Sequence, residues 1–365
     1  MWLLLASVLV QVLYAATYFL PFARRPPEPA PAEPLEPVSV LVCAHNEADN
    51  LRRLLPQLLT QDYPAGFELI LIDDRSEDDT FLVVQQLTQY YPHVRLVSVS
   101  ATPAGLSPKK YALTLGIKSA RYSRLVFMDA DCVPASPQWL RHMHGGFLRP
   151  ADVVLGYSPY LEESTFLNKL IRFETFLTGA QYLSFAWRGH PYMGVGRNLA
   201  YTQQVFHLTK GFASHIRNLG GDDDLLVQDA VAQGARVAVV AEPAAHTYSV
   251  PAQSWSAWWR QKRRHLSAGP RYRWPDRLRI GTFIGANLVF YGTAIGLLFS
   301  PPNWVPLAVV WVVRTALLAG VVDQLGRRLD DRLPLVWVPL LDAVYFFSYL
   351  ALGISLFLYR TLRWK

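Results

Sequence analysis

The sequence predicts an α/β domain, built on a mostly parallel sheet with covering helices and attached to several membrane-crossing helices. Three observations predict it. Through residues 38–131, short β-branched runs alternate with amphipathic stretches of helical period. Long uncharged apolar runs stand near both ends of the chain. Of 365 residues, 51% are hydrophobic and only 17% are charged, whereas soluble domains carry about 25%. Lys and Arg number 35 against 28 Asp and Glu, a net charge of +7 that suits an anionic ligand or an anionic membrane face. With only Cys43 and Cys132, a disulfide scaffold and a cysteine-rich zinc site are excluded.

The elements follow in order. Residues 1–20 carry no charge and approach the ~20 residues that cross a bilayer as a helix. The first residues of this run include no Lys or Arg, which favours a retained helix over residues 1–22 rather than a signal peptide cleaved near Ala15-Ala16. Arg24 and Arg25 come next, so the positive-inside rule places the following domain in the cytoplasm. Residues 23–37 are rich in Pro, Ala and Glu and read as an extended tether. Residues 38–43 form a first strand, and 50–61 a helix with Leu51, Leu54, Leu55 and Leu58 on one face. A second strand at 67–72 ends in Asp73-Asp74. A helix at 79–90, a strand at 94–99 and a helix at 109–120 follow. A fourth strand, 125–128, ends in Asp129-Ala130-Asp131. Residues 165–188 read as an amphipathic helix facing a core or a membrane, and 225–231 as an apolar helix. The α/β domain is expected over 38–250 and an interfacial segment over 251–280.

About three further spans are expected within 281–365, at 281–299, 304–322 and 333–359. Pro301-Pro302 reads as an outside turn, and Arg327, Arg328 and Arg332 as a cytoplasmic loop. By parity Arg360, Arg363 and Lys365 then fall outside, against the charge rule, unless one segment is re-entrant. Arg314 and Asp342 lie within apolar spans and are expected to pair with each other or to snorkel.

In open α/β sheets ligands bind beyond the carboxyl ends of the strands, where the acidic clusters fall. The chain lacks a G-x-G-x-x-G turn after the first strand and a P-loop, which speaks against dinucleotide oxidoreductases and P-loop NTPases; Gly194–Asn198 (G-V-G-R-N) is incomplete. Asp129 and Asp131, two apart at a strand end, suit Mg²⁺ or Mn²⁺ completed by phosphate oxygens and water, or a plain solvated turn. Asp73 and Asp74 suit hydrogen bonds from a base or ribose, with Ser76 or Asp78 capping the next helix. In Asp222-Asp223-Asp224, mutual repulsion raises at least one carboxyl pKa and makes a general base, unless the run is simply an acidic helix start. Trp255, Trp258 and Trp259 beside Gln261-Lys262-Arg263-Arg264-His265 mark a membrane interface, and the cations also suit a diphosphate. Cys43 and Cys132 read as small core thiols.

Taken in order, these motifs resemble the membrane-bound family 2 glycosyltransferases, which have the GT-A nucleotide-sugar fold, and within them ceramide glucosyltransferases and polysaccharide synthases. The resemblance covers about residues 38–265. It is carried by Cys43-Ala44-His45-Asn46-Glu47, the strand ending in Asp73-Asp74, Lys109 before Tyr111-Ala112-Leu113, the D-x-D of Asp129 and Asp131, the acidic motif at 221–225, and a Q-x-x-R motif at 261–265. It implies that Ala44, Glu47, Asp73 and Asp74 frame the base and ribose, with Lys109 near the nucleotide. Asp131 would bind Mg²⁺ or Mn²⁺, with Asp129 near the ribose or donor sugar. Asp224, or Asp223 beside it, would be the base, and Gln261 and Arg264 would close over the diphosphate and acceptor. His45, Asp223 and His265 depart from the usual Tyr, Glu and Trp; the last change bears on the acceptor. The implied activity is inverting hexosyl transfer from a nucleotide-diphospho-sugar, a UDP-sugar first, to a lipid or lipid-linked glycan at the cytoplasmic face of the cell membrane. Membrane lipids are the expected surroundings, and no nucleic-acid partner is expected. The alternatives are a processive polysaccharide synthase subunit working with a pore partner, or a non-catalytic membrane scaffold.

Overall fold

The computed structural model describes residues 1–28, 31 and 34–358, which form two compact units. A sheet unit comprises Pro27–Leu161 and Gly189–Pro251. A helical unit comprises Met1–Pro26, Glu162–Arg188 and the described residues from Ala252 on. Each is described by itself.

Among the described residues the sheet unit holds nine strands: β1 (Val38–Ala44), β2 (Phe67–Asp74), β3 (Val94–Val99), β4 (Arg124–Asp129), β5 (Cys132–Pro134), β6 (Val153–Gly156), β7 (Leu199–Thr202), β8 (Val237–Val240) and β9 (Thr247–Ser249). Seven form one sheet in the order β3-β2-β1-β4-β7-β6-β8, and β5 pairs with β9 in a separate ribbon. The pairs β1/β2, β1/β4, β2/β3 and β6/β8 are parallel; β7 runs antiparallel to both of its neighbours. The central strands read as unbroken apolar runs because helices cover both faces of a parallel sheet, and β1 and β2 are buried along nearly their whole length. Helix Ala48–Leu59 buries Leu51, Leu54, Leu55 and Leu58, the face expected from their spacing.

The strands run slightly longer than their apolar runs. Asp73 and Asp74 are the last two residues of β2, and Asp129 is the last of β4. Backbone pairing with a neighbouring strand continues past the last hydrophobe, with Asp73 opposite Ser98 and Cys43 opposite Asp129. On the far side of the sheet, fully buried Asn198 donates to the carbonyls of Tyr157 and Ala245 at 2.7 and 2.8 Å and accepts from Trp139 Nε1 at 3.0 Å. Gly156 must be glycine there, since a Cβ would lie 2.4 Å from the Asn198 side chain.

Among the described residues the helical unit contains four helices long and apolar enough to cross a membrane: Trp2–Ala23, Trp274–Leu298, Pro301–Arg328 and Leu335–Leu358. Most of each stays outside any protein core, and large apolar side chains such as Val305, Val312 and Phe357 are exposed, a surface suited to lipid rather than water. The first helix passes through a π-helical turn at Ala15–Phe19 just before Pro21. Proline has no N–H to give the carbonyl four residues back; that carbonyl, of Thr17, accepts instead from Arg188 Nε at 3.0 Å. Arg314 and Asp342 do pair, both buried. The same guanidinium donates to Gln11 Oε1 at 2.9 Å and Asn287 Oδ1 at 2.8 Å, and Tyr291 Oη donates to Asp342. Helix Phe166–Trp187, capped by Thr165 Oγ1 at 3.1 Å, belongs to this unit. Arg360, Arg363 and Lys365, and the end of the last expected span at Tyr359, lie outside the described residues.

Candidate active site

Strand register brings the first group of predicted residues together. Ala44 ends β1 opposite Asp73 of β2, while Cys43, one residue earlier, faces Asp129 of β4. Three parallel strands therefore deliver their polar ends side by side, as expected for the carboxyl edge of such a sheet. Beyond β1 and β2 the chain makes two left-handed turns, at Asn46 (φ 57°) and Arg75 (φ 56°). Outside glycine this conformation is uncommon, asparagine being among its better hosts. The two turns are stitched together: Asn46 N donates to Ser76 Oγ at 3.0 Å, and Glu77 N to Asn46 Oδ1 at 2.7 Å. Glu47 N donates to Thr80 Oγ1 at 2.9 Å, and the Glu47 carboxylate accepts from Asn50. Asp73 Oδ1 takes the Ser76 amide at 3.2 Å. Asp74, fully buried, takes Arg75 Nε at 2.8 Å, and its carbonyl lies 2.6 Å from His45 Nδ1. Neither expected residue is the cap of helix Thr80–Tyr90, whose N-cap position is Asp79; Asp78 accepts from Thr80 N at 2.9 Å, and Ser76 serves Asn46.

The second group centres on Lys109. Helix Pro108–Ser119 starts with proline at its first position, where the missing N–H costs nothing. Lys109 Nζ then lies 3.0 Å from Asp129 Oδ1 and 3.0 Å from Asp222 Oδ2. One ammonium thus joins the D-x-D carboxylate to the acidic motif, 93 positions later. Cys43, Lys109, Asp129, Gly196, Asp222 and Asp223 line one small cavity, with Phe127, Tyr201 and Phe212 on its wall. Burial works against the Lys109 charge, but Asp129, Asp222 and Asp223 outweigh it and hold the ammonium well above its ordinary pKa. Burial likewise works against the Asp222 anion, yet Lys109 keeps that carboxyl below the usual range. Burial pushes the Cys43 thiol up, so it is no nucleophile at neutral pH.

The three aspartates divide the work. Asp223 caps helix Asp224–Ala232: its Oδ1 accepts from Asp224 N at 2.8 Å and its Oδ2 from Gly196 N at 2.7 Å. Burial and then the Asp222 charge raise its pKa, which is the repulsion expected from the sequence. Asp224 is the first residue of the helix and is buried. The loop before it is pinned by Lys110, whose Nζ reaches His215 O, Gly220 O and His215 Nδ1 at 2.8–2.9 Å. Adjacent lysines on one helix thus serve opposite ends of the same acidic loop.

Asp131 opens the β5–β9 ribbon. Burial, and next the Asp129 charge, push its carboxyl up. Arg197 is the residue sequence reasoning passed over, since G-V-G-R-N was weighed only as a glycine motif. Its guanidinium donates to Ser249 Oγ at 2.9 Å, packs 4.5 Å over the Tyr160 ring and lowers the Asp131 pKa against those effects. Cys132 Sγ lies 2.9 Å from the same Ser249 Oγ. Two carboxylates whose charges oppose each other fit a divalent cation. Among the described residues no group of three or more His, Cys, Asp or Glu forms a ready cage, so such an ion would take further ligands from phosphate and water.

Gln261 and Arg264 lie on helix Trp255–Leu266 of the helical unit, capped by Ser254 Oγ at 3.3 Å from Ala257 N. Within its Trp-rich stretch, Trp255 is exposed, while Trp258 is buried against Glu174.

Comparison with known proteins decides the family. The profile "Glycosyl transferase family 2" matches residues 39–210, and "Glycosyl transferase family group 2" matches residues 125–358, more than half of the chain. The chain belongs to glycosyl transferase family 2. Among solved structures it is similar to the mannosyltransferase PcManGT from Pyrobaculum calidifontis, in complex with GDP-Man and Mn²⁺, over 97% of this chain and 98% of that one, with a TM-score of 0.61 at 18% identity. That likeness shows a common fold, and the sheet unit is GT-A-like as expected. A probable glycosyltransferase of Bacillus subtilis, YdaM, is 26% identical over 240 residues, 63% of this chain and 54% of its own length. A beta-monoglucosyldiacylglycerol synthase of Synechocystis is 34% identical over 73 residues, 20% of this chain and 15% of that one. The chain therefore spans about half, or less, of these two relatives' length. Among its described residues this family 2 member carries four candidate membrane spans, compatible with membrane association.

Proposed function

We propose that this glycosyltransferase moves a hexose, with inversion, from a nucleotide-diphospho-sugar to a lipid or lipid-linked glycan at the cytoplasmic face of the cell membrane. The observation that carries the reading is Lys109, bonded at once to the D-x-D carboxylate Asp129 and to Asp222 of the acidic motif. It makes one site of two motifs that a donor diphosphate and an acceptor base must share.

In this reading Ala44, Glu47, Asp73 and Asp74 receive the base and ribose, with a UDP-sugar as the first donor to test. Asp131, with Asp129, would hold Mg²⁺ or Mn²⁺. That ion would supply positive charge against the diphosphate as it leaves. Asp224 accepts the proton of the acceptor hydroxyl. The oxygen so freed attacks the anomeric carbon as the bond to the diphosphate breaks, in a single inverting displacement. Asp223, with both carboxylate oxygens on backbone amides, fixes Asp224 and does not itself move a proton. Gln261 and Arg264 close over the diphosphate and acceptor. The lipid acceptor is supported by the four apolar helices and by a relative named as a diacylglycerol glycolipid synthase. Arg24 and Arg25, directly after the first span, support the cytoplasmic side.

The test is nucleotide release by the full chain in nanodiscs. It uses a panel of UDP- and GDP-sugars with Mg²⁺ or Mn²⁺ and membrane lipid extract. One donor should give metal-dependent release, and Asp224→Asn should lower it roughly 100-fold or more, the scale of a lost general base. A variant as fast as the parent chain would overturn the role given to Asp224.

A further inference from the structure

We propose that Glu174 is a positioning residue whose buried carboxylate fixes the helix bearing Gln261 and Arg264. The inference rests on the reading above, in which that helix meets the donor diphosphate.

Glu174 lies on helix Phe166–Trp187 and is 2% exposed. Its Oε1 takes Lys262 Nζ at 2.7 Å and Tyr349 Oη at 2.8 Å, and its Oε2 takes Trp258 Nε1 at 3.2 Å. Trp258 and Lys262 are four apart on helix Trp255–Leu266, so they share a face. Tyr349 comes from helix Val338–Leu358, a candidate span. One carboxylate thus ties the Q-x-x-R helix to a second helix and to a membrane span.

An apolar residue would fill this place at lower desolvation cost, as Phe173 and Phe176 do beside it. What a carboxylate with three donors adds is a fixed registry, because each bond is directional. Lys262 sits between Gln261 and Arg264 in sequence, so any rotation or slide of the helix moves both. A displacement of about 1 Å at a reacting centre can cost ~100-fold in rate. The buried pair therefore serves to hold the diphosphate-facing side chains at one height and one angle.

The test uses the full chain in nanodiscs, read by backbone amide hydrogen exchange and by turnover of UDP-glucose or GDP-mannose, whichever the panel supports. Glu174→Gln removes the charge that pairs with Lys262. Amides of Trp255–Leu266 should exchange roughly tenfold faster or more while those of β1, β2 and β4 do not change, and turnover should fall at least tenfold with the Kd for free uridine or guanosine, which lack the diphosphate, unchanged. Adding Lys262→Gln removes the stranded cation and restores a neutral hydrogen bond; protection should return, with turnover within about threefold of the parent. Should Glu174→Gln not fold, Trp258→Phe deletes one donor alone and should loosen the same helix by a smaller factor. Parent-like exchange and turnover in these variants would overturn the proposal, as would lost turnover with the helix still fully protected. Arg264→Ala separates the two readings: parent-like turnover there would overturn the role of the motif, and the exchange data alone would then judge the tie.

Discussion

Replacing Lys109 with methionine removes one ammonium and strands two carboxylates. At 3.0 Å and an effective dielectric of about 20, each contact with Asp129 and Asp222 is worth about 5.5 kcal/mol of gross attraction. Desolvation of the three charges cancels much of this. Removing one partner of a buried pair costs about 3–5 kcal/mol net. The low end applies, since the Asp129 side chain is 30% exposed and water reaches it. For a unit of this size about 3 kcal/mol lowers the thermal midpoint by roughly 6–12 °C. The pH dependence has a definite sign. Asp222 is depressed in the folded state, so its contribution is present above the ordinary carboxyl pKa and is lost as pH falls through the folded value. Lys109 is raised, so its contribution is complete below the ordinary lysine value and is lost only at higher pH. The gap between parent and Lys109→Met should therefore be flat from neutrality down to the ordinary carboxyl value of about 4 and close only as pH falls below it. Thermal unfolding of the full chain in nanodiscs at several pH values measures it, with Lys109→Arg expected to recover at least half of the loss. A midpoint within about 2 °C of the parent at neutral pH, or a gap that widens on acidification, would refute the reasoning.

Further outcomes follow from other contacts. Asp223→Ala frees the amides of Asp224 and Gly196 and should cost about 2–3 kcal/mol, whereas Asp223→Asn, which keeps one acceptor oxygen, should cost about half as much; denaturant titration separates them. Asp131→Asn should raise the half-saturating Mn²⁺ concentration in the release assay by roughly tenfold or more, without lowering the thermal midpoint. Arg314→Met leaves Asp342 buried with Tyr291 and should cost about 3–5 kcal/mol, seen as loss of folded protein in detergent; adding Asp342→Leu should restore most of it, and a double variant no better than the single would count against the pairing.

Much of this arrangement is legible in the sequence because it follows short-range rules. Buried parallel strands announce themselves as apolar runs, and β3 begins and ends where its β-branched residues do. The D-x-D and acidic motifs fall at element ends, where polar residues have few structural reasons to cluster. Other features depend on pairings that no local pattern encodes. Nothing in the text around Lys109 says that it will meet a carboxylate brought from Asp222. Lys110, next to it, is fully buried on loop carbonyls from residues more than 100 positions later. Arg197 lay in a stretch judged by its glycines, and the two-stranded β5–β9 ribbon that gives it Ser249 is built from runs of three residues. Residues 165–188 read correctly as a helix facing apolar surroundings, but periodicity alone did not say which unit they would join.

The path of the chain has a consequence for how the enzyme is made. β7 lies between β4 and β6, both synthesised earlier, and between β6 and β7 the ribosome must first deliver helix Phe166–Trp187 to the other unit. Until residue 202 emerges, β4 keeps an unpaired edge, the kind of template that invites another chain. The two units are thus woven rather than appended: each contains segments translated before and after segments of the other. No single cut yields a contiguous catalytic half, so a water-soluble fragment obtained by trimming the ends would carry Phe166–Trp187 with its buried apolar face stripped of partners. A form freed of its apolar helices would need the gene reordered, not merely shortened.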